Sequence, residues 1–282
     1  MKLAHYWCKE TATIEKPDGQ TFEVGCWGGS TESDADAKQA AILIVDRIQN
    51  HFLSGEPPDI YQYASGPLQE QILEEKLNDQ GEVYAALSRN RYGAVILNTD
   101  SLMIIDIDNE PSTASFWQSL KSMFGKPATE PLSQLVDKIH QWLQHYPDWG
   151  LRLYQTYKGF RLLITHQPLS ATSKLTDKAF QFFDADPLYQ KLCHSQDCFR
   201  ARLTPKPWRC EMMAPEVHFP FEDDTKAQFF NDWLLQYELR SNNYASCHLI
   251  DTFGNTEIAP AFKVLVDLHD SYCGARTDKP LA

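Results

Sequence analysis

Ser101-Leu102-Met103-Ile104-Ile105-Asp106-Ile107-Asp108-Asn109-Glu110 carries the strongest local signal in the chain. Four consecutive apolar residues, Leu102 to Ile105, predict a strand buried on both faces, and two carboxylates follow at alternate positions where it should end. Side chains two apart on a strand point the same way, so Asp106 and Asp108 are expected to share a face. Two carboxylates that close repel each other and are costly to bury without a cation or several hydrogen bonds. Mg2+ or Mn2+ would meet that cost, because these ions take hard oxygen ligands and often keep substrate phosphates in their shell. Pairing with nearby arginines would meet it too.

Working outward, Val83 to Leu87 and Ala94 to Leu97 are strand-like, and the breaks Ser88 to Gly93 and Asn98 to Asp100 are short. Such breaks permit only antiparallel neighbours, so the Asp-x-Asp strand is expected in a meander. Helices are predicted over Ser115 to Phe124 and Leu132 to Tyr146. A hairpin follows: Leu151 to Tyr157, a Lys158-Gly159 turn, and Phe160 to Thr165. Residues 173 to 194 are mostly helical with an interruption at Asp186-Pro187. The strand Cys198 to Leu203 then presents Arg200 and Arg202 at alternate positions and runs into Thr204-Pro205-Lys206-Pro207-Trp208-Arg209-Cys210-Glu211. A helix over Thr225 to Leu239, a strand near Ser246 to Phe253 and a helix near Ala259 to Asp270 close the chain.

On the other side, residues 3 to 14 and 20 to 27 flank Lys16-Pro17-Asp18-Gly19 and read as a hairpin. Gly28-Gly29 reads as a flexible strand exit, and a helix runs from Ser33 as N-cap to about Leu53. Leu68 to Leu77 reads as a charged surface helix. The expected class is α+β, with a largely antiparallel central sheet and helices packed on it. Residues 1–80 would form an N-terminal hairpin and helices against a core of 81–282, or the whole of 1–282 would be one domain.

The 282 residues are 43% hydrophobic with a net charge of -12, which argues against a protein that coats nucleic acid through surplus cations. A local basic cleft is compatible with that balance. Arg89, Arg91, Arg152, Lys158, Arg161, Arg200, Arg202, Lys206 and Arg209 all fall on strand-like or turn-like pieces, whereas acids crowd into Glu32 to Asp36, Glu70 to Asp79 and Glu222 to Asp224. No apolar run approaches the roughly 20 residues of a membrane helix, and Met1 to Trp7 lacks a signal-peptide core; no membrane association and a cytoplasmic location are expected. Seven scattered cysteines read as reduced thiols. Cys193, His194, Cys198 and Cys210 are four soft groups, but structural zinc takes ligands in close pairs and Cys210 has no nearby partner, so zinc is not expected there. His166, His248 and His269 stand at no informative spacing.

Three pieces thus carry chemistry: Asp106-x-Asp108 at a strand end, Lys158-Gly159-Phe160-Arg161 in a hairpin, and Arg200-x-Arg202-x3-Lys206 leaving another strand. In this order they resemble the motifs of the archaeo-eukaryotic primase superfamily, including its primase-polymerase branch, over roughly Arg89 to Glu211. Met103 to Asp108 matches that superfamily's apolar-Asp-x-Asp strand. Tyr157 to Leu163 looks like its hairpin motif, with Arg161 where a histidine stands in the family, and Phe199 to Lys206 is similar to its Arg-rich, Pro-Lys segment. The resemblance implies an RRM-like antiparallel sheet and a nucleotide held through Mg2+ or Mn2+ on Asp106 and Asp108. It further implies Glu211 as a third catalytic acid, Lys158, Arg161, Arg200, Arg202 and Lys206 on phosphates, and, if the protein is an enzyme, nucleotidyl transfer by in-line displacement. The strings Ser88 to Leu97 and Cys198 to Arg209 are also similar to a group of bacterial proteins of unassigned function. Two alternatives stand beside this: a noncatalytic interaction protein of the same fold, and a haloacid dehalogenase-like phosphatase. In the phosphatase, Asp106 would be the nucleophile and Asp108 the general acid, with Thr165, Lys206, Asp223 and Asp224 as partners.

Overall fold

The computed structural model describes residues 1–15, 19–54, 67–108 and 131–282. The helix expected over Ser115 to Phe124 lies outside them, as do Asn109 and Glu110. At the N-terminus, β1 (Tyr6–Glu15) and β2 (Thr21–Ser30) form the expected hairpin, in register from Tyr6 opposite Ser30 to Glu15 opposite Thr21. The helix α1 (Asp34–Ser54) follows, and Ser33 caps it by accepting the Asp36 amide on its Oγ at 3.1 Å. Gly28 is not a loose exit: a Cβ there would meet the Ala37 carbonyl oxygen at 2.3 Å and the Ala41 amide nitrogen at 2.2 Å. The small face of α1, with Ala37 and Ala41 fully buried, presses directly on the β2 backbone.

Two four-stranded sheets follow, and every strand ladder among the described residues is antiparallel. One has the order β3 (Gln71–Leu77), β4 (Val83–Arg89), β5 (Val95–Thr99), β9 (Phe199–Arg202). The other has the order β10 (Cys247–Gly254), β7 (Gly150–Thr156), β8 (Gly159–Ile164), β6 (Ile104–Asp108). Helices α2 (Pro131–His145), α3 (Lys174–Phe182), α4 (Pro187–Gln196), α5 (Asp224–Ser241) and α6 (Pro260–Cys273) complete an α+β fold with antiparallel sheets.

Two local expectations are corrected. The segment expected as a charged helix over 68–77 is strand β3, at the edge of its sheet. Its pairing with β4 slips between Ile72 and Glu74 and again between Lys76 and Leu77, which erases the alternation that marks a strand; charged side chains suit an edge open to water. The Asp-x-Asp strand β6 leaves the β4–β5 meander and joins the other sheet beside β8. The bend is made at Thr99, whose Oγ1 accepts the Leu102 amide at 3.3 Å, and the Met103 carbonyl then takes the Ile164 amide at 2.9 Å.

Both faces of β6 are covered, as its composition requires: Leu102, Met103, Ile104 and Ile105 are all fully buried. They belong to one apolar cluster that joins Leu87 and Leu97 of the first sheet to Leu153, Leu162 and Leu163 of the second, with Leu135, Ile139 and Trp142 of α2 against it. Burial of this kind contributes about 1.5–3 kcal/mol for each large side chain. No helix among the described residues is long and apolar enough to cross a membrane.

Candidate anion-binding cavity in the seam between the sheets

The two sheets meet where β6 runs near β9, and two side chains stitch that seam. Tyr189, on α4, donates its hydroxyl to the Ile104 carbonyl at 2.7 Å while accepting the Arg200 amide at 3.5 Å. Arg161, on β8, lies directly opposite Asp106 in the β6–β8 register. Its Nε donates to Asp106 Oδ1 at 2.7 Å, its Nη2 to Oδ2 at 3.2 Å, and its Nη1 to the Arg202 carbonyl at 3.2 Å. This is the two-pronged geometry for which a guanidinium is suited and an ammonium is not. Only 3% of Arg161 is exposed. Burial works against its charge, yet the Asp106 carboxylate outweighs that through its charge and hydrogen bonds and holds the guanidinium above its ordinary value.

In front of this pair lies a cavity of about 730 Å³. Asp106, Asp108, Lys158, Arg161, Arg202 and Lys206, all expected site residues, line it together. The two acids do share a face, and the cations come from two strands more than 40 residues apart in the chain, as one polyphosphate site would need. Arg209 and Asp186 join them, so five cations face three acids. Asp186 is the acid that the sequence pattern did not reveal as a site residue. Its amide donates to the Asp106 carbonyl at 3.0 Å, and its Oδ1 caps α4 by accepting the Tyr189 amide at 2.6 Å. The signal was the Asp-Pro helix start, which marks a cap but says nothing of its neighbours.

Arg202 is the least satisfied cation in the cavity. Its Nη1 is buried without a hydrogen-bond partner among the described residues. Burial, then the charges of Arg161 and Arg209, push its guanidinium down to about 10. The Lys206 ammonium is pushed down by burial and by Arg202 and Arg209, with Asp108 opposing. Such mutual repulsion at the wall of a cavity is costly until an anion enters. The loop bearing these groups is stiff: Pro205 and Pro207 flank Lys206, Tyr237 donates its hydroxyl to the Pro205 carbonyl at 2.6 Å, and a single 3-10 turn spans Pro207–Arg209. Arg209 lies over the Tyr157 ring with its guanidinium carbon 4.3 Å from the centroid, and Lys206 Nζ is 5.4 Å from the centroid of Trp208. Both rings are half exposed.

Two expected site residues are placed elsewhere. Arg200 is buried against the first sheet, with Nη2 on Glu70 Oε1 at 2.5 Å and Nη1 on Asn98 Oδ1 at 2.6 Å. Strand alternation correctly relates it to Arg202, but a buried acid beside β3 claims it. Glu211 is exposed at a left-handed φ of 57°, does not line the cavity, and has its carbonyl on Arg240 Nη1 at 2.8 Å. The tight turn just before it carries the chain away. The phosphatase arrangement is not assembled either. Thr165 is buried beside the Gly150 carbonyl, Asp223 caps α5 by accepting the Lys226 amide at 2.8 Å, and neither lines the cavity of Asp106. Cys193, His194, Cys198 and Cys210 do not converge: His194 Nε2 contacts Asp177 at 2.9 Å, and burial pushes the Cys193 thiol up to about 12 and the Cys210 thiol up to about 11.

No protein-family model, no curated protein and no solved structure matches the chain.

Proposed function

We infer that the chain binds a phosphate-bearing ligand, a nucleotide in the first instance, in the seam cavity, with Arg202, Lys206, Arg209 and Lys158 around its phosphates. The observation that carries this is Arg202, a half-buried arginine at the wall of an open cavity whose Nη1 is shielded from solvent and unbonded and whose charge is opposed by those of Arg161 and Arg209. Trp208 and Tyr157 offer aromatic surface for a base, since stacking on a ring is tolerant of base identity. Arg161 and Asp106 act as the floor: each neutralises the other across one ladder of the second sheet, and the Arg161 bond to the Arg202 carbonyl reaches the first sheet.

Mg2+ or Mn2+ on Asp106 and Asp108 does not fit this donor set as a resident ion. Both Asp106 oxygens already accept from Arg161, and the cavity holds more cations than acids. The reading is therefore of binding without a resident metal ion. A second reading, nucleotidyl transfer of the primase-polymerase kind, is favoured by one observation, that both acids share the cavity with the cations.

Thermal unfolding with each nucleoside triphosphate and with inorganic triphosphate, with and without Mn2+, tests both. At a ligand concentration about 100-fold above Kd, the transition should rise on the order of 5 °C without metal, because a ligand that binds only the folded form stabilises it. Arg202→Gln with Lys206→Gln should abolish the rise. A rise seen only with Mn2+ would transfer the case to the second reading. A chain that responds to none of these probes, or whose response survives the double substitution, has no polyphosphate site here.

A further inference from the structure

Next to Arg161, and not among the residues lining the cavity, three soft side chains converge. Cys247 opens β10, while His269 and Cys273 lie four apart on α6 and so stack on one face of that helix. One ligand atom from each lies within 4.8 Å of the others, and all three residues are fully buried. The frame that carries them is fixed by backbone bonds: the Ser246 amide donates to the Cys273 carbonyl at 2.9 Å, and the Leu249 amide to the Ala275 carbonyl at 2.9 Å. Nothing in the proposed anion site requires this cluster.

We propose that Cys247, His269 and Cys273 form a binding site for a thiophilic closed-shell cation, zinc being the ion that the donor set fits. Two sulfurs and one imidazole select zinc or monovalent copper over magnesium, manganese or calcium. Zinc bonds of about 2.3 Å to sulfur and 2.0 Å to nitrogen put tetrahedral ligands about 3.3–3.8 Å apart, so no pair of the cluster has to close by more than about 1.5 Å on loading. The imidazole is oriented for the task. His269 Nδ1 faces Asp270 Oδ1 at 3.2 Å, which leaves Nε2 as the acceptor, the carboxylate–histidine arrangement usual behind a metal. Asp270 is itself held by Arg152 Nη2 at 2.6 Å and the Tyr154 hydroxyl at 2.7 Å.

One contact competes. Arg161 Nη1 lies 3.3 Å from His269 Nε2, but the same nitrogen donates to the Arg202 carbonyl, so it keeps a partner when the imidazole turns to a metal. Charge balances as well: zinc displaces one proton from each thiol, and a dication with two thiolates and a neutral imidazole adds no net charge beside the buried guanidinium. The fourth position takes solvent or a small exogenous ligand, because no fourth His, Cys, Asp or Glu of the described residues joins the cluster. Loaded, the site would pin the first residue of β10 to the last turn of α6.

The test is elemental analysis of the full chain purified from zinc-supplemented cells. About one zinc per chain is expected, lost in Cys247→Ser and in Cys273→Ser and retained in Cys193→Ser and Cys210→Ser. If the first two variants fail to fold, the wild-type chain decides alone: metal-free chain refolded with added zinc should hold about one equivalent after dialysis and release it on thiol blocking with a mercurial. Less than a tenth of an equivalent overturns the proposal. So does zinc retained by Cys273→Ser, or a native mass showing a Cys247–Cys273 disulfide in freshly purified chain.

Discussion

The Asp106 carboxylate and the Arg161 guanidinium show how one contact redirects a functional reading. An acid pair at a strand end is economical with a metal, but a guanidinium placed across the ladder serves the same electrostatic need with no ion at all. Asp106→Asn should then destabilise the fold by about 3 kcal/mol, because it strands a buried guanidinium, and urea unfolding at neutral pH measures it. A variant as stable as wild type would show that the pair is dispensable. Arg202 makes the complementary case and has a signature in pH. Burial and the charges of Arg161 and Arg209 push its guanidinium down to about 10, and the Lys206 ammonium beside it is pushed down too, so the folded apo chain disfavours the positive charge of the site. An anion favours that charge, ligand uptake is accompanied by proton uptake above about pH 9, and affinity for inorganic triphosphate should fall as pH rises from 9 to 11. Calorimetric titration across that range should show it, and Arg202→Gln combined with Lys206→Gln, whose ammonium is pushed down as well, should flatten the dependence. Affinity that is level from 9 to 11 would mean that neither Arg202 nor Lys206 faces the ligand.

Among the elements, β9 carries two arginines with different employment. Arg200 ties the first sheet together: Glu70 before β3 accepts from Arg200 and from Ser88 of β4 at 2.6 Å, and Asn98 of β5 accepts from Arg200 and donates to Ser88 Oγ at 2.9 Å. Arg200→Met alone leaves a buried carboxylate and should cost about 3–5 kcal/mol, whereas adding Glu70→Met should return much of that loss. Triphosphate binding should be unaffected once the double variant is stable, in contrast to Arg202→Gln; denaturant unfolding and titration together report both. The same element marks the limit of what a sequence discloses. Alternation relates Arg200 to Arg202 and says nothing of Glu70, an acid 130 positions earlier. Likewise β3 hides its nature because two irregularities in its pairing break the period of two, and Gly28 looks like a hinge until Ala37 and Ala41 of α1 are seen against it. Gly28→Ala forces that helix away and should cost about 1–3 kcal/mol by urea unfolding, with a wild-type midpoint as the contrary result.

For the whole molecule, local periodicity disclosed nearly every strand and helix of the described core, while the motif resemblance grouped Asp106, Asp108, Arg161, Arg202 and Lys206, which line one cavity, with Arg200 and Glu211, which do not. What it could not disclose was which sheet β6 joins, since a four-residue bend at Thr99 decides between continuing a meander and crossing to a new partner. The seam cavity exists only because of that crossing. Its five cations sit in a chain of net charge -12, whose overall balance does not favour phosphate backbones. Affinity should therefore stop growing once a ligand fills the cavity. Fluorescence anisotropy with labelled single strands of increasing length should give a plateau within a few nucleotides, and the fall of log K with log salt should correspond to about two to four phosphates, near 0.7 per contact. A slope that steepens steadily with strand length would place the nucleic-acid surface outside the seam, on a face that this charge distribution does not favour.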